Sequence, residues 1–234
     1  MRMRKKKHGE ERLTACSDFV IDKPDFSQIC AKTPVWLEIG AGKGGFACGM
    51  TAKYPDVMYF AMERVTDCVV LAAEQAKRLY TEEGKSKNLK FIVDTADNLT
   101  KLFPEDSVDA MFLNFSDPWS KKGYAKRRLT HRRYLAVYFN LLKDGGVLTF
   151  KTDNVGLFDF SLEEIAAMGL ECDVVTRDLH SSEWAIDNVV TEYEANFSSQ
   201  GVKINMLKVT KPAGFKPQIP ENLSRDYVRK IYGN

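Results

Sequence analysis

The sequence is poor in the residues that build metal sites and disulfide frameworks. Its 234 residues include three histidines, which lie far apart, and five cysteines. No Cys-x-x-Cys pair occurs, and an odd number of cysteines cannot all pair with one another. A zinc site and a disulfide-stapled secreted domain are therefore disfavoured, and we predict no bound metal. Nothing in the sequence resembles a serine or cysteine hydrolase triad.

Long apolar runs are also missing. No run approaches the roughly 20 residues that a membrane-spanning helix needs, and the basic N-terminus lacks the apolar segment of a signal peptide. We therefore expect a cytoplasmic protein without a membrane partner. Neither sign of charge is in large excess, because 34 Lys and Arg face 32 Asp and Glu. The positive charge nevertheless clusters in residues 2–8 and 121–133, which indicates an anionic partner.

Short apolar runs alternate with helical patterns along most of the chain. The predicted strands are 35–39, 58–63, 89–93, 108–115, 147–151, 171–177 and 204–209. The predicted helices are 45–53, 65–81, 131–142 and 161–168. This alternation predicts an α/β fold with a mostly parallel seven-stranded sheet and helices on both faces. We divide the chain into a basic flexible arm (1–13), one domain (14–210) and a C-terminal tail (211–234).

A glycine-rich turn follows the first predicted strand. Gly40, Gly42 and Gly45 have the G-x-G-x-x-G spacing and precede a helix. Glycines let the backbone approach a ligand, and the helix N-terminus offers unpaired N–H groups. Lys43 is followed by Gly44 rather than by Ser or Thr, so the turn is not a phosphate-binding P-loop. A tight turn that binds nothing remains an alternative.

Two acidic residues flank this turn and favour a particular kind of ligand. Glu38 lies inside the first strand, and Glu63 ends the second, where an acid commonly accepts both hydroxyls of a ribose. Glu38 would repel the phosphates of a dinucleotide, so the pair favours a cationic ligand such as a sulfonium. The alternatives are that Glu38 faces water on an edge strand and that Glu63 caps the next helix.

Residues 114–119 (Asn-Phe-Ser-Asp-Pro-Trp) directly follow the fourth predicted strand. They place Asp117 and Trp119 at the carboxyl end of a strand, where open α/β sheets bind ligands. Trp119 is a candidate for stacking on an exposed RNA base, or alternatively packs under the loop. The basic residues that follow are too dense for an average solvated surface, and we expect them to contact RNA phosphates. They are Lys121, Lys122, Lys126, Arg127, Arg128, Arg132 and Arg133.

Matching segments are distributed along the chain from residue 2 to about residue 209. They are residues 2–6, 37–44, 114–119, 126–131, 151–154 and 191–194, together with Glu63. The combination closely resembles class I S-adenosylmethionine-dependent methyltransferases and, more narrowly, the bacterial tRNA (guanine-N7)-methyltransferase family. The resemblance implies a Rossmann-like class I fold. It also implies methyl transfer from S-adenosylmethionine to N7 of the variable-loop guanosine of tRNA.

The resemblance also implies roles for individual residues, with Asp117 as the central functional acid. The implied cofactor-binding residues are Glu38, Gly40, Gly42, Glu63, Thr95, Ala96 and Asp117, with Asp97 beside them. The implied substrate contacts are Lys121, Asp153, Thr191, Glu192, Tyr193 and Glu194. The chain departs from the family pattern at two places. Ser120 stands where family members usually have proline, and Gly123-Tyr124 stands where they usually have Arg-His.

The chemistry of guanine N7 narrows the role of Asp117. The N7 lone pair lies in the plane of the ring and carries no proton, so its attack on a methyl group needs no general base. The enzyme must instead align N7 with the methyl group and stabilise the growing positive charge on the purine. We hypothesise that Asp117 accepts hydrogen bonds from guanine N1–H and N2–H, a task shared with Asp153 or Glu194. Some extrusion of the base is expected.

Three other functions are compatible with parts of the pattern. The glycine spacing permits a nicotinamide-dependent oxidoreductase, which would leave Glu38, the Asp-Pro-Trp loop and the basic segments unexplained. A non-catalytic RNA-binding subunit on the same fold is a second alternative. A class I methyltransferase that acts on another RNA or on a small molecule is the third. Either a monomer or a homodimer fits the sequence, and no obligate protein partner is evident.

Overall fold

The computed structural model describes residues 7–83 and 88–217. These residues form a seven-stranded sheet whose strand order is β3-β2-β1-β4-β5-β7-β6. Neighbouring strands are parallel except where β7 pairs with β5 and β6, to which it is antiparallel. The strands are β1 (Val35–Ile39), β2 (Met58–Glu63), β3 (Leu89–Val93), β4 (Val108–Asn114), β5 (Leu142–Thr152), β6 (Val174–Thr176) and β7 (Asn205–Thr210). The predicted mostly parallel sheet of seven strands is confirmed.

The strand order reverses direction beside β1. The chain proceeds from β1 outwards through β2 and β3, and then returns to place β4 on the opposite side of β1. In open α/β sheets, such a reversal leaves a crevice at the carboxyl ends of the two central strands. The glycine turn after β1 and residues 114–119 after β4 therefore lie at the same crevice.

Helices cover both faces of the sheet, as predicted. Two buried apolar clusters fill the space on its two sides, and alternate residues of β1 point to opposite clusters, Leu37 to one and Trp36 to the other. One face carries α2 and α3, and the other carries α4, α5 and α6. The helices are α1 (Gly9–Thr14), α2 (Gly45–Lys53), α3 (Thr66–Glu83), α4 (Leu99–Leu102), α5 (Arg132–Leu141), α6 (Val155–Ala166) and α7 (Glu192–Ser198).

Two elements begin earlier than their sequence patterns predicted. Strand β5 begins at Leu142, whereas the sequence pattern predicts a start at residue 147. The pairing of β5 with β4 is irregular between Leu142 and Val147, and Gly145 adopts φ 79°, so residues 143–146 form a bulge within the strand. Helix α6 begins at Val155 rather than at 161, because the Asn154 side chain accepts a hydrogen bond from the Leu157 N–H at 2.8 Å.

The chain ends differ from their predicted description. Residues 9–13 were expected to belong to a flexible arm, but they form most of α1, which packs on α3. Arg12 binds both carboxylate oxygens of Glu74 at 2.7 Å. At the other end, Lys211 is buried and donates to Asp106 and to the Leu142 carbonyl, so the start of the predicted tail is attached to the domain. Residues 1–6 and 218–234 lie outside the described residues.

Within residues 7–83 and 88–217, no helix has the length and apolar character required to cross a membrane. In the same ranges, no three His, Cys, Asp or Glu side chains come together in a way that could hold a metal ion.

Candidate functional site

A cavity of about 720 Å³ opens at the carboxyl ends of the central strands. Its floor and sides are formed by residues at, or just after, the carboxyl ends of β1, β2, β3 and β4. These include Gly40, Glu63, Thr95, Ala96, Asn114 and Asp117. Its other wall includes Trp119, Arg127, Leu129 and Tyr134. Five of the seven predicted cofactor-binding residues thus line one cavity, and the remaining two, Glu38 and Gly42, lie next to it.

The glycine turn leaves the backbone open to the cavity. Gly40 and Gly42 have positive φ, and a Cβ added at either position would meet no atom within 4 Å. A ligand could therefore approach the main chain closely there. Gly44, which was not assigned a role, is required by packing, because its Cβ would lie 2.7 Å from Ala72 Cβ.

The carboxylate of Glu63 is held rigidly by backbone N–H groups. Its Oε2 accepts from Gly42 at 3.0 Å, and its Oε1 accepts from Val65 at 2.9 Å. Gly42 therefore contributes by orienting Glu63 and does not itself line the cavity. Each carboxylate oxygen has a second lone pair, so Glu63 retains acceptors for the two hydroxyls of a ribose.

Glu38 is placed differently from its implied role as a cavity-lining residue. The side chain is only 2% exposed and lies behind the cavity wall, where Oε1 accepts from Asn114 Nδ2 at 3.0 Å. The Tyr59 hydroxyl is 3.4 Å from Oε2. Burial raises the Glu38 pKa to about 7, although Asn114 and the nearby Lys151 charge act in the opposite direction. Glu38 therefore contacts the cavity-lining Asn114 rather than the cavity itself.

Two polar atoms in the cavity wall are buried and lack a hydrogen-bond partner among the described residues. They are Asn114 Oδ1 and Ser116 Oγ, and both residues line the cavity. A buried polar group without a partner costs free energy, so these atoms indicate that a polar ligand binds here. With Glu63 they form a set of hydrogen-bond acceptors, which fits the ammonium and ribose hydroxyl donors of S-adenosylmethionine.

The third side of the cavity is formed by the loop after β3. Thr95 and Ala96 line it, and Asp94 Oδ1 accepts from the Thr95 N–H at 2.7 Å. Asp97 also lines the cavity, and its carboxylate accepts from the Tyr134 hydroxyl at 3.0 Å. These contacts connect the loop after β3 to α5, which is the opposite wall of the cavity.

The loop at 114–119 has an unusual backbone. Phe115 and Trp119 adopt φ values of 52° and 41°, in the left-handed region that residues with a Cβ rarely occupy. Arg128 supports this conformation, because its guanidinium donates to the Pro118 carbonyl at 3.0 Å and to the Trp119 carbonyl at 3.2 Å. The surrounding structure thus holds the loop in one shape.

Asp117 lies at the rim of the cavity. Its side chain is 69% exposed, and Arg64 Nη2 lies 3.8 Å from its Oδ2. An exposed ion pair of this kind contributes little to stability. The Asp117 carboxylate is therefore accessible to a substrate that approaches the cavity from solvent.

The predicted substrate residues separate into two groups. Tyr193 packs against Phe115, with ring centroids 4.9 Å apart, and its hydroxyl is 3.4 Å from Asp153 Oδ2. Asp153 and Tyr193 are thus adjacent to the cavity through Phe115. Thr191 caps α7, and Glu192 is exposed and pairs with Lys43 at 3.0 Å.

Glu194 does not face a substrate, contrary to the role implied for it. It is fully buried and accepts from the Lys151 ammonium at 2.7 Å, from Asn188 and from the Thr191 N–H. His180 Nε2 lies 3.1 Å from its second oxygen. With its lone pairs occupied in this way, Glu194 is not available to share a guanine with Asp117. It instead fixes the segment before α7 against the end of β5.

The basic run at 121–133 is only partly available to RNA. Lys121, Lys122 and Lys126 are exposed, and Lys121 does not line the cavity. The expectation that all seven basic residues contact phosphate is wrong for Arg133, which is 6% exposed and packs against Tyr134. Arg132 is held by Glu164, and the N-cap of α5 is His131, whose Nδ1 accepts from the Arg133 N–H at 3.1 Å.

Several residues of the site had no sequence signal strong enough to identify them. Arg64 and Tyr134 line the cavity, but neither belongs to a recognisable spacing. Lys151 was noted only as part of a matching segment, and the structure shows that it is a buried partner of Glu194. An isolated lysine at the end of an apolar strand was the only available signal.

Comparison with known proteins supports the same interpretation. A family model described as a putative methyltransferase matches residues 32–207. The known structures with similar folds include the 16S rRNA methyltransferase KamB, with TM-score 0.61, 14% identity, and coverage of 82% of this chain and 95% of that one. An antibiotic-related methyltransferase gives TM-score 0.56 at 14% identity, with coverage of 89% and 96%. These two similarities establish the fold.

Sequence relatives are more specific. The tRNA (guanine-N(7)-)-methyltransferase of Latilactobacillus sakei is 36% identical over 214 residues, which cover 89% of this chain and 98% of that protein. The protein of the same name from Lysinibacillus sphaericus is 39% identical, with coverage of 89% and 97%. The one from Mesoplasma florum is 39% identical, with coverage of 90% and 99%. The chain therefore belongs to the tRNA (guanine-N(7)-)-methyltransferase family.

Proposed function

We propose that this protein transfers a methyl group from S-adenosylmethionine to N7 of a guanosine in tRNA, and that the target is the variable-loop guanosine. The observation that carries the proposal is the position of Asp117, an accessible carboxylate at the rim of a cavity whose interior presents further acceptors. The relatives at 36–39% identity are named for this activity. The cytoplasm, where tRNA is available, is the proposed location.

The cavity residues are suited to hold S-adenosylmethionine, whose sulfonium supplies an electrophilic methyl group. Glu63 would accept the ribose hydroxyls, and the open backbone at Gly40 would lie against the amino acid part. Asn114 Oδ1 and Ser116 Oγ would accept hydrogen bonds from the ligand. Above its pKa of about 7, buried Glu38 is negatively charged and would favour a cationic ligand over a dinucleotide phosphate. This charge distribution disfavours a nicotinamide-dependent oxidoreductase.

The guanine would bind at the rim, with Asp117 at its N1–H and N2–H edge. Placing the base in this way aligns N7 with the methyl group and brings a negative charge close to the purine as it becomes positive. Guanine N1–H becomes more acidic as N7 is methylated, so the hydrogen bond to Asp117 strengthens along the reaction. Asp117 therefore need not remove a proton from the base.

The decisive experiment is to map the methylated position. The protein is incubated with methyl-labelled S-adenosylmethionine and an unmodified tRNA transcript, and the product is cleaved at N7-methylguanosine by borohydride and aniline. One cleavage site, in the variable loop, is expected, and the label should leave the RNA with the excised base. A matched transcript with 7-deazaguanosine at that position lacks N7 and should accept no label. Label that persists in the 7-deaza transcript would show that another atom or position is the target.

The choice of cofactor can be tested separately. At pH 8, where Glu38 is ionised, S-adenosylhomocysteine should raise the thermal midpoint of the protein, and NAD should not, because NAD carries phosphates that Glu38 would repel. Glu63→Gln should reduce the shift, since its amide would face the backbone N–H groups of Gly42 or Val65 with a donor. Glu171→Gln, at an exposed acid, is the control. A larger shift with NAD would reverse the assignment.

A further inference from the structure

Trp119 and Tyr124 form an aromatic corner beside the cavity. Their ring centroids are 5.9 Å apart, and their planes meet at 79°. Trp119 lines the cavity two residues after Asp117, whereas Tyr124 lies in the short helical turn Lys122–Arg127 and is 41% exposed. An exposed tyrosine beside a strained tryptophan is not needed to fill the core. The exposed position of Tyr124 suits a contact with a molecule at the surface.

The corner already holds a flat cation. The guanidinium carbon of Arg127 is 4.9 Å from the Trp119 centroid and 4.6 Å from the Tyr124 centroid, so both rings contact the same planar positive group. Arg127 also lines the cavity. Aromatic rings attract cations through the negative charge of their faces, and a delocalised planar cation gains both this attraction and stacking. The shape of the corner and the negative faces of its rings thus suit a planar, delocalised cation.

We propose that the aromatic corner of Trp119 and Tyr124 binds the guanine as it becomes a cationic N7-methylpurine, and that the base takes the place of the Arg127 guanidinium. This inference rests on the proposed function. In the reaction the N7 lone pair forms a bond to the methyl carbon while the bond from that carbon to sulfur breaks. The sulfonium becomes a neutral thioether, and its positive charge passes to the purine.

Asp117 and the aromatic corner would contact different parts of that purine. The carboxylate meets the N1–H and N2–H edge in the plane of the ring, whereas the aromatic rings contact the purine above its plane or at its edge. Both contacts strengthen as the base becomes positive, the carboxylate through its opposite charge and the corner through the negative charge of its aromatic faces. The attraction of the corner is therefore stronger for the methylated base than for neutral guanine. Tyr124 should therefore favour the product state and the transition state over the ground state.

The test compares two tRNA molecules that differ by one methyl group. Equilibrium binding is measured with saturating S-adenosylhomocysteine, using an unmodified transcript and the same tRNA with N7-methylguanosine at the mapped target. The measured quantity is the ratio of the two dissociation constants. Tyr124→Leu removes the aromatic ring from an exposed position, and Tyr124→Phe keeps it. Thermal midpoints with S-adenosylhomocysteine report whether both variants remain folded.

Tyr124→Leu should lower the preference for methylated tRNA by about fivefold relative to the unsubstituted protein, and Tyr124→Phe should keep it within about twofold. An unchanged ratio in the Leu variant, or an equal loss in the Phe variant, would overturn the role of the ring. The ratio is measured without turnover. A protein that methylates N7 but shows no change in ratio retains the proposed function and loses this inference, whereas absence of N7 methylation in the mapping assay refutes the function itself.

Discussion

Glu38 at the end of β1 accepts a hydrogen bond from Asn114 at the end of β4, with Oε1 and Nδ2 3.0 Å apart. Both side chains are buried, at 2% and 9% exposure. Because the amide nitrogen is used by Glu38, the orientation of the amide is fixed, and Asn114 Oδ1 remains without a partner among the described residues. A carboxylate that does not line the cavity thus determines which atom Asn114 offers to a ligand.

Glu38→Gln should change how stability depends on pH. The Glu38 pKa rises to about 7 in the folded state because of burial, from 4.5 in the unfolded chain. The folded protein therefore binds more protons than the unfolded chain between these values, so this group lowers stability as pH rises from about 4.5 to 7. Relative to the unsubstituted protein, Glu38→Gln should gain about 1 to 3 kcal/mol at pH 8 and lose this gain towards pH 4.5.

Urea unfolding at pH 4.5, 6, 7 and 8 measures this effect. Gln keeps an oxygen that can accept from Asn114, so the comparison isolates the charge. Glu192→Gln is the control, because that side chain is exposed. Its substitution should change the free energy of unfolding by less than about 1 kcal/mol, and by the same amount at all four pH values. A stability difference for Glu38→Gln that does not vary with pH would show that Glu38 is ionised throughout.

Asp117→Asn should slow methyl transfer without unfolding the protein. The amide removes the negative charge that would oppose the positive charge on the purine, and one of its two polar atoms is a donor that faces guanine N–H groups. A loss on the order of 100-fold in single-turnover rate is expected. Because Asp117 is 69% exposed, the thermal midpoint of the variant should stay within a few degrees of that of the unsubstituted protein.

The matched control for this prediction is Asp56→Asn. Asp56 is also exposed, but it precedes β2 and therefore lies near the amino ends of the parallel strands, away from the cavity at their carboxyl ends. Rapid-quench measurement with saturating enzyme separates the chemical step from tRNA binding. Near-normal rate and affinity in Asp117→Asn would exclude the assigned role.

Much of the fold could be predicted because short apolar strands and helix periods are local signals. The bounds of β1, β2 and β3 match their apolar runs to the residue. Strand β5 was predicted too short, because Gly145 and Gly146 are typical of a turn and only pairing with β4 reveals that they form a bulge. Pairing partners lie far away in the sequence, so local patterns do not report them.

The positions of the site residues at the strand ends could be predicted, but the burial of their side chains could not. Strand ends identified Glu63 and Asp117, since residues at the carboxyl ends of neighbouring parallel strands must converge. Burial was not predictable for Glu38 and Glu194, because the partners that make a buried carboxylate tolerable come from distant segments. For Glu194 the main partner is Lys151, 43 residues earlier. The matching segments therefore combine cavity-lining residues with buried supporting residues.

The buried pair of Lys151 and Glu194 should be important for stability. The two side chains are 3% and 0% exposed, with Nζ and Oε2 2.7 Å apart. Burial lowers the Lys151 pKa, while Glu194 opposes this effect. Removing one partner leaves the other charge buried without compensation, so Lys151→Met and Glu194→Gln should each cost about 3 kcal/mol in the free energy of unfolding.

Urea unfolding of both single variants and the double variant measures the coupling. The double variant should be clearly less destabilised than the sum of the single variants, because no unpaired charge remains. The exposed pair of Lys43 and Glu192, 3.0 Å apart, is the control and should couple by less than about 1 kcal/mol. Additive losses at Lys151 and Glu194 would show that the two charges are compensated by other groups.

The basic run should divide into residues that bind RNA and residues that support the fold. Lys121 and Lys122 are exposed, so Lys121→Ala and Lys122→Ala should each weaken tRNA binding and reduce the salt dependence of log Kd by about one unit. Arg133 is buried and lies 3.6 Å from Asp97, so it cannot reach a phosphate. Arg133→Leu should therefore leave the salt slope unchanged and lower the thermal midpoint.

Titration of tRNA at several KCl concentrations gives the slopes, and thermal unfolding of the same samples gives the midpoints. The lysine variants should change the salt slope but not the midpoint, because their contacts release counterions on binding. Arg133→Leu should change the midpoint but not the slope, because a buried cation affects folding. A reduced salt slope for Arg133→Leu in fully folded protein would place that guanidinium on the RNA. An unchanged slope for the lysine variants would move the RNA surface away from residues 121–122.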